Sequence, residues 1–421
     1  MRYLHIQNAR LIDPAQQLDQ VADVYVAEGR IKAIGHKPKA GEIEKSIDAQ
    51  GLWLVPGFID LGAHLGEPGF TQKGTIASET RAACAAGFTH VCALPDTKPV
   101  ADSPAVIQLI QEKAAKAGFA KVLPLGALTQ GLAGEQLASM FSLREAGCVA
   151  LSNARAPFKD SYVLRRVMEY AATYDIPVFL TADDAALSAA GCMHEGTVST
   201  RMGLTGIPST AETIALAQML LLIEQTGVRA HISQLSCARS IDMIRDARAR
   251  GLAITADTTL ANLVYTDAGV TGYNSQFNVR PPLRSDADRK ALLAAVNAGE
   301  LAVSSNHRPH EVAAKKAPFA DAEPGMSMFD AFLPLALQLV DNGELNLNAF
   351  INAVSTLPAA ITGVEQGLKE GNWFNATLID PAPERTFRRA ELISKGRNTP
   401  VSGQTLKGEV NAVFVDGREV F

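Results

Sequence analysis

The sequence predicts an α/β protein: a (β/α)8 TIM barrel with a small β-sandwich domain built from both chain ends. Three observations carry this. Eight short β-type runs alternate with helix-like segments through the middle of the chain. Both ends read as strands and turns. The length, 421 residues, suits one barrel of roughly 250 residues with additions. The expected boundaries are 1–54 plus 370–421 for the β-sandwich domain and 55–369 for the barrel.

The elements follow in order. "RYLHIQNARLID", "QVADVYVAEGRIKAIG" and "KSIDAQGLWLV" are the N-terminal strands. The eight barrel runs are "VPGFIDLGAHL", "THVCALPD", "KVLPLGALT", "CVALSN", "IPVFLTAD", "RAHISQLS", "LAITADTT" and "LAVSSNHR". Helical periodicity is clear in "KGTIASETRAACAAG", "DSYVLRRVMEYAATYD", "STAETIALAQMLLLIEQTG" and "SDADRKALLAAVNAG". Several of these begin after Ser or Asp and end in Gly, as helix caps require. "NATLIDPAP" and "GEVNAVFVDGREVF" return the chain to strands. The stretch 308–326, "RPHEVAAKKAPFADAEPGM", reads as a mobile loop with partial disorder.

Composition excludes several function classes. The net charge is -5 and the pI is near 6.0, so nothing marks a nucleic-acid or anionic-membrane surface. "MRYLHIQNARLIDP" lacks the apolar stretch of a signal peptide. No run approaches the roughly 18 apolar residues of a membrane span. The five cysteines, Cys84, Cys92, Cys148, Cys192 and Cys237, form no C-x-x-C. They read as reduced, buried thiols of a cytoplasmic protein.

Barrel active sites sit where the strands end. The strand ends here offer Gly62 and His64, Asp96, Thr129, Asn153, Thr181, Gln234, Asp257 and Thr258, then Asn306 and His307. This mouth is polar but poor in the imidazoles and carboxylates that a divalent metal needs. In "VPGFIDLGAHLGEPGF" the i, i+2 pair that would share one face of a strand is Gly62 and His64.

The ordered strings resemble those of dihydroorotase, of the amidohydrolase superfamily, over nearly the whole chain. "PGFIDLGAHLGEPG" is similar to PGFID-x-H-x-H-L-R-E-P-G, "AAGFTHVCALPDTKPV" to AGG-F-T-x-V-x-x-M-P-N-T-x-P, and "SSNHRPH" to T-D-H-A-P-H; "PPLR" at 281–284 is a family string. The resemblance implies a metal centre that generates hydroxide and an eighth-strand aspartate that shuttles protons. Carried over one position at a time, it also implies their loss. The first-strand histidines become Gly62 and His64, and the acidic position after the fourth strand becomes Asn153 or Ala154. The fifth- and sixth-strand histidines become Thr181 and Gln234, and the aspartate becomes Asn306. Substrate positions change as well: the family arginine is Gly66, and two asparagines are Asp96 and Arg280. Without about three protein ligands a zinc ion is not held, and without it water keeps a pKa of about 15.7 rather than about 7. The expectation is no catalytic residue, no metal and no cofactor.

His231 has the opposite strand parity to Gln234 and is expected to face the helices; His194 is expected to be a loop-structuring residue. His307 and His310 match family positions near the mouth and are expected either to structure loops or, with Arg308, to remain as residual ligand contacts. Arg280 and Arg308 are expected to fill or neutralise the old cavity. The resemblance extends to non-catalytic dihydroorotase-like chains that assemble with aspartate carbamoyltransferase catalytic chains. It implies a hetero-oligomer, with self-association, in pyrimidine synthesis, and no nucleic-acid or membrane partner. Two alternatives stand beside it: a residual or repurposed cyclic amidohydrolase, and an anion-sensing binding module.

Overall fold

The computed structural model describes residues 1–421. Its centre is a parallel eight-stranded sheet in strict sequence order. The strands are β1 (Phe58–Ala63), β2 (Phe88–Ala93), β3 (Lys121–Ala127), β4 (Ala150–Ser152), β5 (Val178–Thr181), β6 (Ala230–Leu235), β7 (Ile254–Thr259) and β8 (Ala302–Ser304). Each lies within one of the eight runs read from the sequence, with β2 beginning one residue earlier at Phe88. Sequential parallel strands with intervening helices curl the sheet until its first and last strands meet. That seam has no backbone ladder. Side chains and one backbone bond join it instead. Asp60 accepts from the Ser305 amide at 2.8 Å and from its hydroxyl at 2.5 Å, and the His64 amide donates to the His307 carbonyl at 2.9 Å.

Side chains fill the interior. Leu61, Cys92, Leu125, Ala150, Phe179 and Ala302, from six strands, form one buried cluster. Leu357 and Ile361 of the helical stretch after β8 pack against it. The helices start and stop where the sequence signals. Thr75 and Ser78 form a reciprocal cap at the start of Ile76–Ala85. Asp160 caps Ser161–Thr173, and Ser285 caps Asp286–Asn297. Gly227 takes the left-handed conformation that ends Thr210–Thr226.

Both termini build one further eight-stranded sheet. Strand Arg2–Asp13 pairs antiparallel with Leu18–Ala27 along one edge, and parallel with Glu42–Asp48 and then Trp53–Pro56 along the other. Trp53–Pro56 in turn pairs antiparallel with Ala376–Thr386, joining the two ends of the chain. Ile6, Leu11, Val24, Leu54, Phe374 and Phe414 belong to its own core. Other residues of these terminal segments, such as Ile12, Val413 and Val415, belong to the large barrel cluster. The β-rich unit therefore shares a continuous apolar boundary with the barrel.

Two features depart from expectation. After β5, Met193–His194 and Gly206–Ile207 pair in parallel as a separate two-stranded sheet, which alternation alone did not signal. The 308–326 stretch is not a loose loop. It holds two short 3-10 turns, Val312–Lys315 and Phe319–Asp321. Lys315 donates to the carbonyls of Asn278 and Glu323, and the Asn278 amide donates to those of Phe319 and Ala322. Satisfied backbone groups and a buried Phe319 hold it down. All five cysteines are buried and free. No helix is long and apolar enough to cross a membrane.

Candidate functional site: the barrel mouth

The C-terminal ends of the strands bring Gly62, His64, Asp96, Thr181, Gln234, Asn306 and Arg308 around one depression. Asn153, expected with them, turns away. Its side chain accepts from Thr129 Oγ1 at 2.8 Å and donates to the Ala156 carbonyl at 3.1 Å, which shapes the turn after β4. In that turn stands the residue the sequence reading missed, Arg155. Its guanidinium enters the mouth and donates from Nη2 to Gln234 Oε1 at 2.5 Å, with Asp183 at 3.6 Å from Nη1. Gln234 Nε2 passes the chain on to Asn306 Oδ1 at 3.1 Å, and Asn306 Nδ2 to the Arg280 carbonyl at 2.8 Å. Burial pushes the Arg155 guanidinium down to about 10 against the pull of Asp183; it remains a cation at neutral pH. An arginine three residues beyond the end of a mouth strand, in "LSNAR", was the signal available for it.

This arrangement leaves about 20 Å³ of free space at the centre of the mouth, roughly room for one water. The donor set is one imidazole, His64, and two carboxylates, Asp96 and Asp257, with two amides and hydroxyls; Asp257 is already bonded to the Gln234 amide and His231. No three His, Cys, Asp or Glu side chains converge anywhere in the chain in a metal-holding arrangement. A catalytic zinc takes about three protein ligands, and a guanidinium beside the remaining donors repels a divalent cation. The residues present do not fit the metal that this architecture would otherwise carry.

His64 stands 3.3 Å from Asp96, Nδ1 to Oδ1, but that oxygen makes no hydrogen bond of acceptable geometry and is buried. Burial pushes the His64 ring down to about 3; Asp96 opposes this, while Arg308 and His310 add to it. The ring is neutral. Arg308 Nη2 lies 4.0 Å from Asp96 Oδ2. Beside this pair opens a cavity of about 330 Å³ lined by His64, Phe70, Lys73, Asp96, Arg308 and His310 among others.

Three sequence expectations are corrected. His231 faces the barrel interior and not the helices. Its ring lies 4.6 Å from that of Phe179, with Thr255 Oγ1 at 2.9 Å and Asp257 Oδ2 at 3.2 Å. The parity argument failed because the ladder breaks between Ile232 and Leu235 and Gln234 has φ +63°. One extra residue in a bulge reverses the alternation beyond it, so His231 and Gln234 both point inward. His307 is fully buried and spent within the fold. Its Nδ1 accepts from the Met328 and Phe329 amides at 3.0 and 3.3 Å, its Nε2 donates to Glu79 Oε2 at 2.8 Å, and the ring stacks on Phe329. Arg280 is committed to the loop after β5, donating to the Gly191 carbonyl at 2.6 Å. Arg308, and His310 through the side cavity, are the residual candidates with access to open space. His310 is itself held by the Pro324 carbonyl and Lys73. His194 accepts from the buried Arg284 of "PPLR", a structuring role as expected.

Comparison with known proteins now has a geometry to meet. The family model described as "Dihydro-orotase-like" matches residues 51–240. A "Dihydroorotase-like protein" of Pseudomonas aeruginosa PAO1 is 47% identical over 416 residues, spanning 98% of each chain. The chain belongs to the dihydroorotase-like family. A second "Dihydroorotase-like protein", of Pseudomonas putida, is 45% identical across 98% of each chain. A "Dihydroorotase" of Trichlorobacter lovleyi is 40% identical across 99% of each. Among solved structures, L-hydantoinase (dihydropyrimidinase) from Arthrobacter aurescens superposes with a TM-score of 0.89 at 19% identity, covering 100% of this chain and 96% of that one. Dihydropyrimidinase from Brevibacillus agri gives 0.82 at 22%, covering 99% and 95%. At such identities the structures speak for the fold: an amidohydrolase-type barrel with a β-rich unit from the termini.

Proposed function

We propose that this chain is a non-catalytic dihydroorotase-like subunit that supports assembly and activity of aspartate carbamoyltransferase catalytic chains in the cytoplasm, and that it carries no zinc. One observation supports this above the others. The position where hydroxide would be generated is occupied by the Arg155–Gln234–Asn306 chain. Hydrolysis of a cyclic amide at neutral pH needs both an activated water and a general base. Here the eighth-strand position offers only an amide, Asn306, His64 is neutral and desolvated, and the carboxylate Asp96 lies between His64 and Arg308. A folded barrel without chemistry acts through its surface. Binding to assembled transferase chains but not to separated ones stabilises the assembly by mass action.

A second reading draws on the cavity of about 330 Å³ at His64, Asp96 and Arg308: a small ligand bound without turnover. The relatives called dihydroorotase at about 40% identity keep a third reading, residual hydrolysis, open to test.

The deciding experiment expresses the transferase chain of the same genome alone and together with this protein, and measures particle mass, transcarbamoylase activity, metal content and dihydroorotate turnover. The expected result is a large, active, zinc-free complex only in the mixture, with no turnover of the cyclic amide. Stoichiometric metal with turnover would establish a hydrolase. A transferase that assembles and works equally well alone, never co-eluting with this chain, would remove the scaffold role.

A further inference from the structure

The cavity of about 330 Å³ beside the mouth holds two charges that the fold leaves unspent. The Arg308 guanidinium donates no hydrogen bond; its one ionic neighbour is Asp96, at 4.0 Å. The Asp96 carboxylate accepts none either, and its Oδ1 is buried without a partner. A buried acceptor ordinarily has a donor, and an arginine offers five. At 4.0 Å the two are too far apart to hydrogen-bond each other. Neither is sealed off: the Arg308 side chain is 35% exposed and that of Asp96 27%. The other charges on the wall are already matched. Lys73 pairs with Glu323, and Lys113 reaches Glu67 at 2.8 Å. Burial keeps the two imidazoles, His64 and His310, neutral at pH 7. What remains free is one cation beside one anion, with no net charge.

We infer that this cavity binds a zwitterionic α-amino acid with an apolar side chain, its carboxylate on the Arg308 fork and its ammonium on Asp96. The inference rests on the second reading above, a ligand bound without turnover, and names its class. A guanidinium fork matches a carboxylate with two parallel bonds. The ammonium supplies the donors that Asp96 lacks. In an α-amino acid the nitrogen and the carboxyl carbon lie roughly 2.5 Å apart, so one molecule can touch both members of a pair 4.0 Å apart. A simple anion would satisfy Arg308 and leave Asp96 unpaired beside it; a simple cation reverses the fault. The rest of the wall decides the side chain. Leu65, Phe70, Leu94 and Pro309 line it, and no unmatched charge is left there to meet a charged side chain. Small-molecule sites run from roughly 300 to 1,000 Å³, and a cavity near the lower end suits a ligand of this size.

The test uses the full chain and titration calorimetry at pH 7. Three probes share one skeleton: L-leucine, isocaproate, which lacks the ammonium, and isoamylamine, which lacks the carboxylate. Inorganic phosphate is titrated alongside. L-leucine is expected to bind with a Kd of about 1 mM or tighter. Each analogue should bind at least about tenfold more weakly, since each leaves one charge unpaired. Two variants add a readout that disturbed packing would not produce. Asp96→Asn should turn the preference to isocaproate, and Arg308→Gln should turn it to isoamylamine. Isocaproate or phosphate binding the parent as tightly as L-leucine would overturn the zwitterion and leave the second reading standing as an anion site. No binding of any probe, up to the solubility of L-leucine, would overturn both. L-leucine preferred unchanged in both variants would place the ligand away from this pair and overturn the inference.

Discussion

Gly62 and Gly66 lie four residues apart at the end of one strand, and a side chain would meet very different surroundings at each. A Cβ at Gly62 has its nearest neighbours, Leu94 and Gln234, at 3.8–3.9 Å, ordinary contact distance. A Cβ at Gly66 would fall 2.2 Å from the Gly74 carbonyl oxygen, and the residue has φ +73°. Left-handed backbone costs a non-glycine residue about 1–3 kcal/mol before any clash. Gly66→Arg is therefore expected to destabilise the protein by more than about 2 kcal/mol, measured by denaturant midpoint. Gly62→His carries no backbone cost, but its ring exceeds the space of about 20 Å³ at the mouth, so overpacking of about 1–3 kcal/mol is expected. Elemental analysis of that variant should find no stoichiometric zinc, because Thr181, Gln234, Asn306 and the Arg155 cation remain. Position 66 is constrained to glycine by the backbone; position 62 is not.

At the scale of elements, the barrel closes without a ladder. Asp60 stands in for one by accepting two bonds from Ser305. It is fully buried, and desolvation pushes its carboxyl up to about 6, with the Ser305 bonds opposing. Removing the acceptor leaves a buried amide unpaired, a loss of about 1–3 kcal/mol. Asp60→Ala should fall in that range and speed amide exchange selectively across 302–307. A uniform rise in exchange over all eight strands would show that the seam is held elsewhere. Nearby, Glu79 draws the C-terminal segment onto the barrel by accepting from His307, the Ser394 hydroxyl and the Lys395 amide. Burial alone would raise that carboxyl, but the bonds it accepts hold it below its usual value.

Across the whole molecule, buried histidines set the response to acid. Burial pushes His64 and His90 down to about 3 and His310 to about 4. In the unfolded chain each titrates near about 6.5. Between these limits the unfolded state binds protons that the folded state refuses, so stability falls as pH drops from about 6.5. Asp60 works the other way: its raised value lets the folded state take up a proton first, so its contribution falls as pH rises from about 4 to about 6. Burial also lowers His194 and raises Asp267 and Asp330; from pH 7 to about 5, where histidines take up protons in the unfolded chain, the histidines dominate and acid destabilises. The urea midpoint should decline from pH 7 to pH 5, and His90→Asn should flatten that decline. An unchanged slope would show that His90 is hydrated. His307 joins Glu79 to the start of Phe329–Asp341.

The sequence by itself determined the eight strands, the caps on the major helices, the terminal strands that pair with each other, and the metal-poor chemistry of Gly62, Thr181, Gln234 and Asn306 at the strand ends. These are set by local propensity, periodicity and residue chemistry, which neighbours in the chain suffice to express. The tertiary structure decided what fills the mouth. Arg155 reaches Gln234 across 79 positions, and Glu79 reaches His307 across 228, distances at which no periodic signal survives. It also decided which way His231 faces, because one bulged residue at Gln234 reverses an alternation that pattern reading must assume unbroken.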